Sequence, residues 1–311
     1  MKELLSIIVP CYNEEEALPI FYKTIIPILK DLDTNYELIL VDDGSKDNTS
    51  SIMKKLAEDD KFVKYVIFSR NFGKEAAMYA GLENSKGDYV AVMDVDLQDP
   101  PELLKEMLSS LRNEGYDCVA TRRVTRKGEP KIRSWFARKF YKLINKWSQT
   151  EVVDGARDYR LMKRSMVDAI LSMKEYNRFS KGIFSWVGFK TKWLEYENIE
   201  RSAGVTKWNF KKLFVYALEG IIAFTLAPLY LIVKLGVALG ILDFIATITL
   251  LIISLCYKNI FYSWVILILV MVLLTSILLV SLGIIAIYQA KIYSEVKGRP
   301  IYIAKETNVK D

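Results

Sequence analysis

The sequence predicts an α/β domain built on a doubly wound, mostly parallel sheet, with apolar helices appended at its C-terminal side. Three observations carry that expectation. Short apolar stretches rich in β-branched residues alternate with helical stretches of ten or more residues, the pattern of β-α-β units. Acidic and polar residues repeatedly fall where those strands end, and sheets of this kind bind ligands beyond the carboxyl ends of their strands. Finally, composition changes sharply near residue 212. The chain before it is charge-rich, whereas Leu213–Gln289 carries only Glu219, Lys234, Asp243 and Lys258 as charges.

Leu4–Val9 reads as the first strand, since the run is too short for a signal peptide and passes straight into "PCYNEEEA". Asn13 is placed to cap a helix whose first turn would carry Glu14, Glu15 and Glu16 at the positive end of the helix dipole. "ELILVDDGS" gives a second buried strand ending in Asp42 and Asp43, with Gly44 for the turn. "VKYVIFS" is the third strand, followed by helical "KEAAMYAGLENS". "DYVAVMD" is the fourth, then a helix from about Pro101, then a fifth strand in "DCVATR". Asp99-Pro100-Pro101-Glu102 has the form of a helix start, which assigns Asp99 a capping role.

The 311 residues include no histidine. That excludes a Ser-His-Asp hydrolase, a His-ligated zinc site and imidazole proton transfer. Cys11, Cys118 and Cys256 share no metal-like spacing and read as reduced packing residues. A net charge of +6 suits nucleic acid, phosphate-bearing small substrates and an anionic membrane face equally. Asp94 and Asp96 are different in kind from Asp99. Two apart in extended chain, they would share one side at the ligand edge of the sheet. Carboxylates this close repel, and Mg²⁺ or Mn²⁺ accounts for both, because hard cations take one or two carboxylates completed by substrate phosphates.

The stretches "IIVPCYNEEEAL", "VDDGSKDNT", "NFGKEAAMYAGL" and "DVDLQDPPEL" stand in order, followed by "DYRLMKRS", "NRFSKGIFSWVGF" and "AGVTKWNFKKL". With them the chain resembles the polyprenyl-phosphate glycosyltransferases of the GT-A fold, the group of bactoprenol glucosyltransferases and dolichyl-phosphate mannose synthases. The resemblance implies a nucleotide-diphosphate sugar donor, a divalent metal (Mg²⁺ or Mn²⁺) and a phosphorylated polyprenol acceptor. It further implies that Pro10, Tyr12 and Glu14 border the nucleotide, that Asp43 reads the base, and that Asp94 and Asp96 hold the metal diphosphate with Gln98 as a further ligand. Arg122 and Arg133 match phosphate-binding positions, and arginine's planar fork suits phosphate oxygens. Arg201 and Lys207 would close over the phosphates from the membrane side. Asp158 is implied to face the acceptor, although a phosphomonoester with its second pKa near ~6 hardly needs a base. Asp158 could instead orient the acceptor or stabilise positive charge on the sugar. Here "GARDYRL" has Arg157 where many relatives have glycine.

Val265–Tyr288 is an uncharged run long enough to span the ~30 Å hydrocarbon core, and Leu235–Cys256 is a second, broken only by Asp243. "YKNIFYSW" between them carries the aromatic rings expected at a membrane interface. Lys211, Lys212 and Lys234 on one side, with Lys291, Lys297 and Arg299 after the second span, put the catalytic domain and tail in the cytoplasm by the positive-inside rule. Phe210, Leu213, Phe214, Ala217, Leu218 and Ile221 recur at helical spacing and predict an interfacial helix. The expected organisation is a catalytic domain over 1–207, an interfacial helix region over 208–230, two transmembrane helices as a hairpin over 231–290 and a cytoplasmic tail over 291–311. Asp243 would need a partner or a proton.

The expected activity is inverting, metal-dependent transfer of a monosaccharide to undecaprenyl phosphate at the inner face of the plasma membrane. UDP-glucose is the first choice of donor, with GDP-mannose and UDP-N-acetylhexosamine as alternatives. The expected partners are a UDP-sugar, undecaprenyl phosphate and the bilayer, without nucleic acid, and the resemblance implies a homo-oligomer. A processive polysaccharide synthase would carry a Q-x-x-R-W motif, which none of Gln98, Gln149 and Gln289 begins. A non-catalytic membrane scaffold is the reading from another class; intact acidic pairs argue against it.

Overall fold

The structure is a computed structural model and describes residues 2–124, 153, 155–197, 227–256 and 263–309. It divides into a catalytic unit, Met1–Ala223 with Arg299–Asp311, and a helical unit, Phe224–Gly298.

In the catalytic unit β1 (Leu4–Cys11), β2 (Asn35–Asp42), β3 (Val63–Phe68) and β4 (Tyr89–Val92) alternate with α1 (Ala17–Asp31), α2 (Thr49–Asp59) and α3 (Lys74–Glu83). After α4 (Leu103–Asn113) come β5 (Cys118–Arg123), β6 (Ala156–Lys163), α5 (Arg164–Ser172), α6 (Ser180–Trp186) and β7 (Thr191–Tyr196). One eight-stranded sheet results, in the order β7-β5-β6-β4-β1-β2-β3-β8, where β8 is Ala304–Thr307. Strands β1 to β4 pair in parallel, as their unbroken apolar text predicts, and Leu5, Ile7, Ile8, Leu38, Ile39, Leu40 and Val90 are fully buried between helical layers.

Two features depart from the expected layout. "ARDYRLMK" is a strand, β6, inserted antiparallel between β4 and β5, so the fifth strand does not neighbour the fourth. The C-terminal residues return to the sheet, where β8 pairs antiparallel with β3. Tyr302 stacks on Phe68 with ring centroids 4.9 Å apart, and its hydroxyl donates to Glu83 at 2.7 Å. Lys54 and Tyr65 hold Glu306 at 2.6 and 3.1 Å. Covering an exposed sheet edge in this way removes a template for aggregation.

Neither expected helix cap forms. Helix α1 starts at Ala17 without a side-chain cap, and Asn13 adopts φ 51° outside it, accepting the Lys46 amide at 2.8 Å. Asn13 therefore ties the end of β1 to the turn after β2. Likewise α4 begins at Leu103 with no side-chain cap, and Asp99 turns inward, where it is 1% exposed. Two prolines favoured a helix start on paper, but a half-buried arginine, Arg157, supplies Asp99 with a stronger partner. Cys11 and Cys118 are buried and outside any disulfide, as packing residues should be.

The helical unit contains α7 (Ala227–Cys256) and α8 (Ser263–Val296). Among the described residues, Val270–Val296 is the one helix long and apolar enough to cross a membrane; its 27 residues would extend roughly 40 Å at 1.5 Å each. Its side chains, among them Leu273, Leu278, Leu279 and Val280, are exposed. Pro228–Leu242 is a shorter apolar stretch. The interfacial helix expected before residue 227, the "YKNIFY" stretch and the side chains of Asp243 and Cys256 lie outside the described residues.

Candidate active site

Parallel strands deliver their carboxyl ends to one edge of a sheet, and an antiparallel neighbour delivers its beginning there. That rule brings Asp43 after β2, Asn71–Gly73 after β3, Asp94–Asp99 after β4 and Arg157–Asp158 in β6 to the same rim. The β4–β6 register pairs Val92 with Arg160 at the end of β4, and just beyond it Asp94 and Asp158 meet the same Lys74 ammonium. Residues 94–99 do not continue as an extended strand. Val95 and Asp96 form a turn, and Leu97 takes the left-handed φ of 55°. Gly155 opens β6 at φ 78°, where a Cβ would sit 2.5 Å from the Arg123 carbonyl oxygen, so only glycine lets the chain enter the strand so close to β5.

A network of charges fills this rim. The Lys74 ammonium, on the first residue of α3, lies 2.6 Å from Asp94 Oδ1 and 2.6 Å from Asp158 Oδ2. Arg157 points its Nε at Asp99 Oδ1 at 3.0 Å and stands 3.6 Å from Asp94 Oδ2. Asp99 also accepts the Tyr196 hydroxyl from β7. Burial pushes the Lys74 ammonium down, but the charges of Asp158 and Asp94 outweigh it and hold its pKa above the ordinary lysine value. Burial pushes Asp158 up, yet Lys74 and Lys181 overcome that and keep it well below the usual carboxylate range. Asp158 is thus an ionised carboxylate and a weak proton acceptor. Glu75 points the other way. Its burial, with a smaller contribution from Asp158, raises it to about 7, although Ser180 donates both its amide, at 2.9 Å, and its hydroxyl to it.

Asp43 is 4% exposed and accepts the Phe72 amide at 2.6 Å, the Gly73 amide at 3.0 Å and the Asn71 side-chain amide at 2.9 Å. Burial raises its pKa despite those donors. Gly44 beside it has φ 67°, and a Cβ there would lie 2.4 Å from the Arg70 carbonyl carbon; the two loops pack backbone to backbone. Asp43 therefore shapes the loop that presents Lys74.

The remaining sequence-selected residues distribute unevenly. Pro10 is the penultimate residue of β1, and Tyr12 and Glu14 follow the strand, with the Glu14 amide donating to Thr49 at 2.8 Å. Asp96 is 5% exposed and accepts the Gln98 amide at 3.1 Å. Arg122 forms an ion pair with Glu195 on β7. Arg133, Arg201 and Lys207 lie outside the described residues. Sequence reasoning passed over Lys74, Arg157, Glu75 and Tyr196. The signal for Lys74 was present in "NFGKEAAM", a lysine directly after a glycine at a strand-to-helix junction. Arg157 was noted only as a departure from glycine.

Among the described residues no three His, Cys, Asp or Glu side chains gather into a metal-holding group. The donor set still fits Mg²⁺ or Mn²⁺, since hard oxygen ligands from two carboxylates suffice where substrate phosphates complete the shell.

Comparison with known proteins fixes the lineage. Residues 6–171 match the family described as glycosyl transferase family 2. The chain belongs to glycosyl transferase family 2. Among its relatives, a putative glycosyltransferase CsbB of Bacillus subtilis is 41% identical over 306 residues, covering 98% of this chain and 92% of that protein. The SfII prophage-derived bactoprenol glucosyl transferase of Shigella flexneri is 38% identical over 98% of both chains. A prophage bactoprenol glucosyl transferase homolog of Escherichia coli is 39% identical over 97% of this chain and 98% of that one. In solved structures, mannosyl-3-phosphoglycerate synthase from Rubrobacter xylanophilus superposes with a TM-score of 0.51 at 14% identity, over 70% of this chain and 72% of that one. This family 2 chain is a glycosyltransferase of GT-A fold.

Proposed function

We propose that the protein transfers glucose from UDP-glucose to undecaprenyl phosphate, with inversion at the anomeric carbon. The observation carrying this reading is the convergence of Asp94 and Asp158 with Lys74 and Arg157 on one sheet rim, with Asp96 two residues beyond Asp94 in the chain. The names of the relatives that match across almost the whole chain support the choice of sugar and acceptor.

Asp94 and Asp96 would hold Mg²⁺ or Mn²⁺, which supplies charge neutralisation to the departing diphosphate. Such electrostatic stabilisation is commonly the largest catalytic contribution. Asp43 and the residues after β1, Pro10, Tyr12 and Glu14, border the nucleotide in this reading. An acceptor phosphate oxygen attacks C1 of the sugar as the bond from C1 to the diphosphate oxygen breaks, giving a polyprenyl-phosphate sugar and UDP. Because the acceptor is already largely dianionic at neutral pH, no base is required. Asp158, held ionised by Lys74, orients the reactants and faces the positive charge developing on the sugar. Arg122, Arg133, Arg201 and Lys207 are the proposed phosphate contacts.

Connectivity supports the membrane topology of this reading. The chain leaves the catalytic unit after Ala223 and has rejoined it by Arg299, because β8 hydrogen-bonds to β3. In this reading a crossing by Val270–Val296 is matched by a second crossing, for which the 30 residues of α7 are long enough. Together with the lysine and arginine bias, this supports two spans with the catalytic unit and C-terminus in the cytoplasm of the bacterial plasma membrane.

The test is direct. Membranes containing the protein, given radiolabelled UDP-glucose, undecaprenyl phosphate and Mn²⁺, should move label into an organic-extractable lipid. Asp96→Ala should abolish transfer. Label moving from GDP-mannose or a UDP-N-acetylhexosamine in preference would replace the proposed sugar.

A further inference from the structure

Lys74 occupies an unexpected place. Its ammonium sits on Asp94, a proposed metal ligand, and on Asp158, at 2.6 Å from each. Arg157 approaches the other oxygen of Asp94 at 3.6 Å. Both oxygens of that carboxylate thus face a protein cation. A bare divalent ion approaching Asp94 meets two fixed positive charges, and at a separation of 4–5 Å such repulsion is strong even when the site is partly wet. A nucleotide diphosphate changes the balance, because its negative oxygens attract the lysine and arginine and bring the metal with them.

We propose that Lys74 is a positioning residue that makes metal binding conditional on the nucleotide diphosphate. Without donor, its ammonium bridges Asp94 and Asp158 and keeps the divalent ion out. With donor, diphosphate oxygens compete for the ammonium, Asp94 is released toward the metal, and Lys74 stays on Asp158. The arrangement explains why a lysine opens α3 at the rim, where the loop held by Asp43 through Phe72 and Gly73 fixes its position. It also keeps Asp94 and Asp158 from repelling one another, since both carboxylates meet the same ammonium. This inference rests on the metal reading of Asp94 and Asp96.

The test measures Mn²⁺ binding rather than turnover. Free Mn²⁺ is counted by electron paramagnetic resonance over the full-length detergent-solubilised protein, with and without UDP. Wild type should bind Mn²⁺ weakly alone and at least tenfold more tightly with UDP. Lys74→Met should bind bare Mn²⁺ at least tenfold more tightly than wild type and lose most of the UDP dependence, whereas Lys74→Arg should keep it. Equal bare-metal affinity in wild type and Lys74→Met overturns the inference. Should Lys74→Met fail to fold, the wild-type comparison still decides, since tight Mn²⁺ binding without UDP contradicts the proposal. Absence of Mn²⁺ binding in all proteins even with UDP would instead overturn the metal reading itself.

Discussion

Arg157→Met is the perturbation whose size the structure predicts best. Asp99 is 1% exposed and receives two donors, the Arg157 guanidinium and the Tyr196 hydroxyl. Removing the arginine leaves a buried carboxylate with one neutral donor. Breaking a buried ion pair on one side typically costs about 3–5 kcal/mol. The Arg157 side chain is 24% exposed, so water softens the loss and the lower end, about 3 kcal/mol, applies. In a unit of this size each kcal/mol moves the thermal midpoint by about 2–4 °C, which gives a fall of about 6–12 °C. Differential scanning fluorimetry on the detergent-solubilised protein at one fixed scan rate reads it. The double variant Arg157→Met with Asp99→Asn, which removes the stranded charge, should recover at least half of the drop. A shift under about 2 °C for Arg157→Met, or two losses that simply add, would refute the reasoning, because either result means that the pair is not a buried, mutually compensating unit.

Other consequences are equally open to measurement. Glu75 is raised from 4.5 to about 7, so the folded state binds more protons than the unfolded state between those values, and stability falls as pH rises through that window. Thermal midpoints across pH 4.5–8 should show this fall in wild type, at most about 3 kcal/mol, and a flatter profile in Glu75→Gln. Asp158 acts with the opposite sign: its lowered pKa contributes stability that is present above about pH 4 and is lost as pH falls further toward its folded value. Tyr302→Phe keeps the stack on Phe68 but loses the bonds to Glu83 and Asn84, costing about 1 kcal/mol; Tyr302→Ala should cost about 2–3 kcal/mol by denaturant titration. For topology, a cysteine replacing Asn259 should react with a membrane-impermeant maleimide added to intact cells, while one replacing Lys305 should not.

The parallel half of the sheet was legible because buried strands announce themselves as continuous apolar runs such as Ile7–Val9 and Leu38–Val41. Asp94 and Asp96 were legible as acids at the end of such a run. By contrast β6, "ARDYRLMK", carries two arginines and an aspartate, and its strand character comes from neighbours on both sides rather than from its own text. Arg160 shows the point: it is 3% exposed, stacked over the Phe184 ring at 3.6 Å, a contact that no local pattern predicts. Asp99 was misread for a related reason. Its helix-start setting is local, while its partners Arg157 and Tyr196 lie 58 and 97 residues away. Strand β8 is four residues long and mostly exposed, so it carries no apolar signature; pairing with β3 alone creates it. The missed residues are thus those whose roles arise between distant segments.

Diffraction at the manganese absorption edge, from crystals of the protein with UDP-glucose and Mn²⁺, tests the central claim most directly. The account predicts an anomalous peak in coordination contact with Asp94 and Asp96, with the Lys74 ammonium turned to the diphosphate and Asp158. A manganese peak bound elsewhere, with Asp94 still held by Lys74 and Arg157, would contradict it.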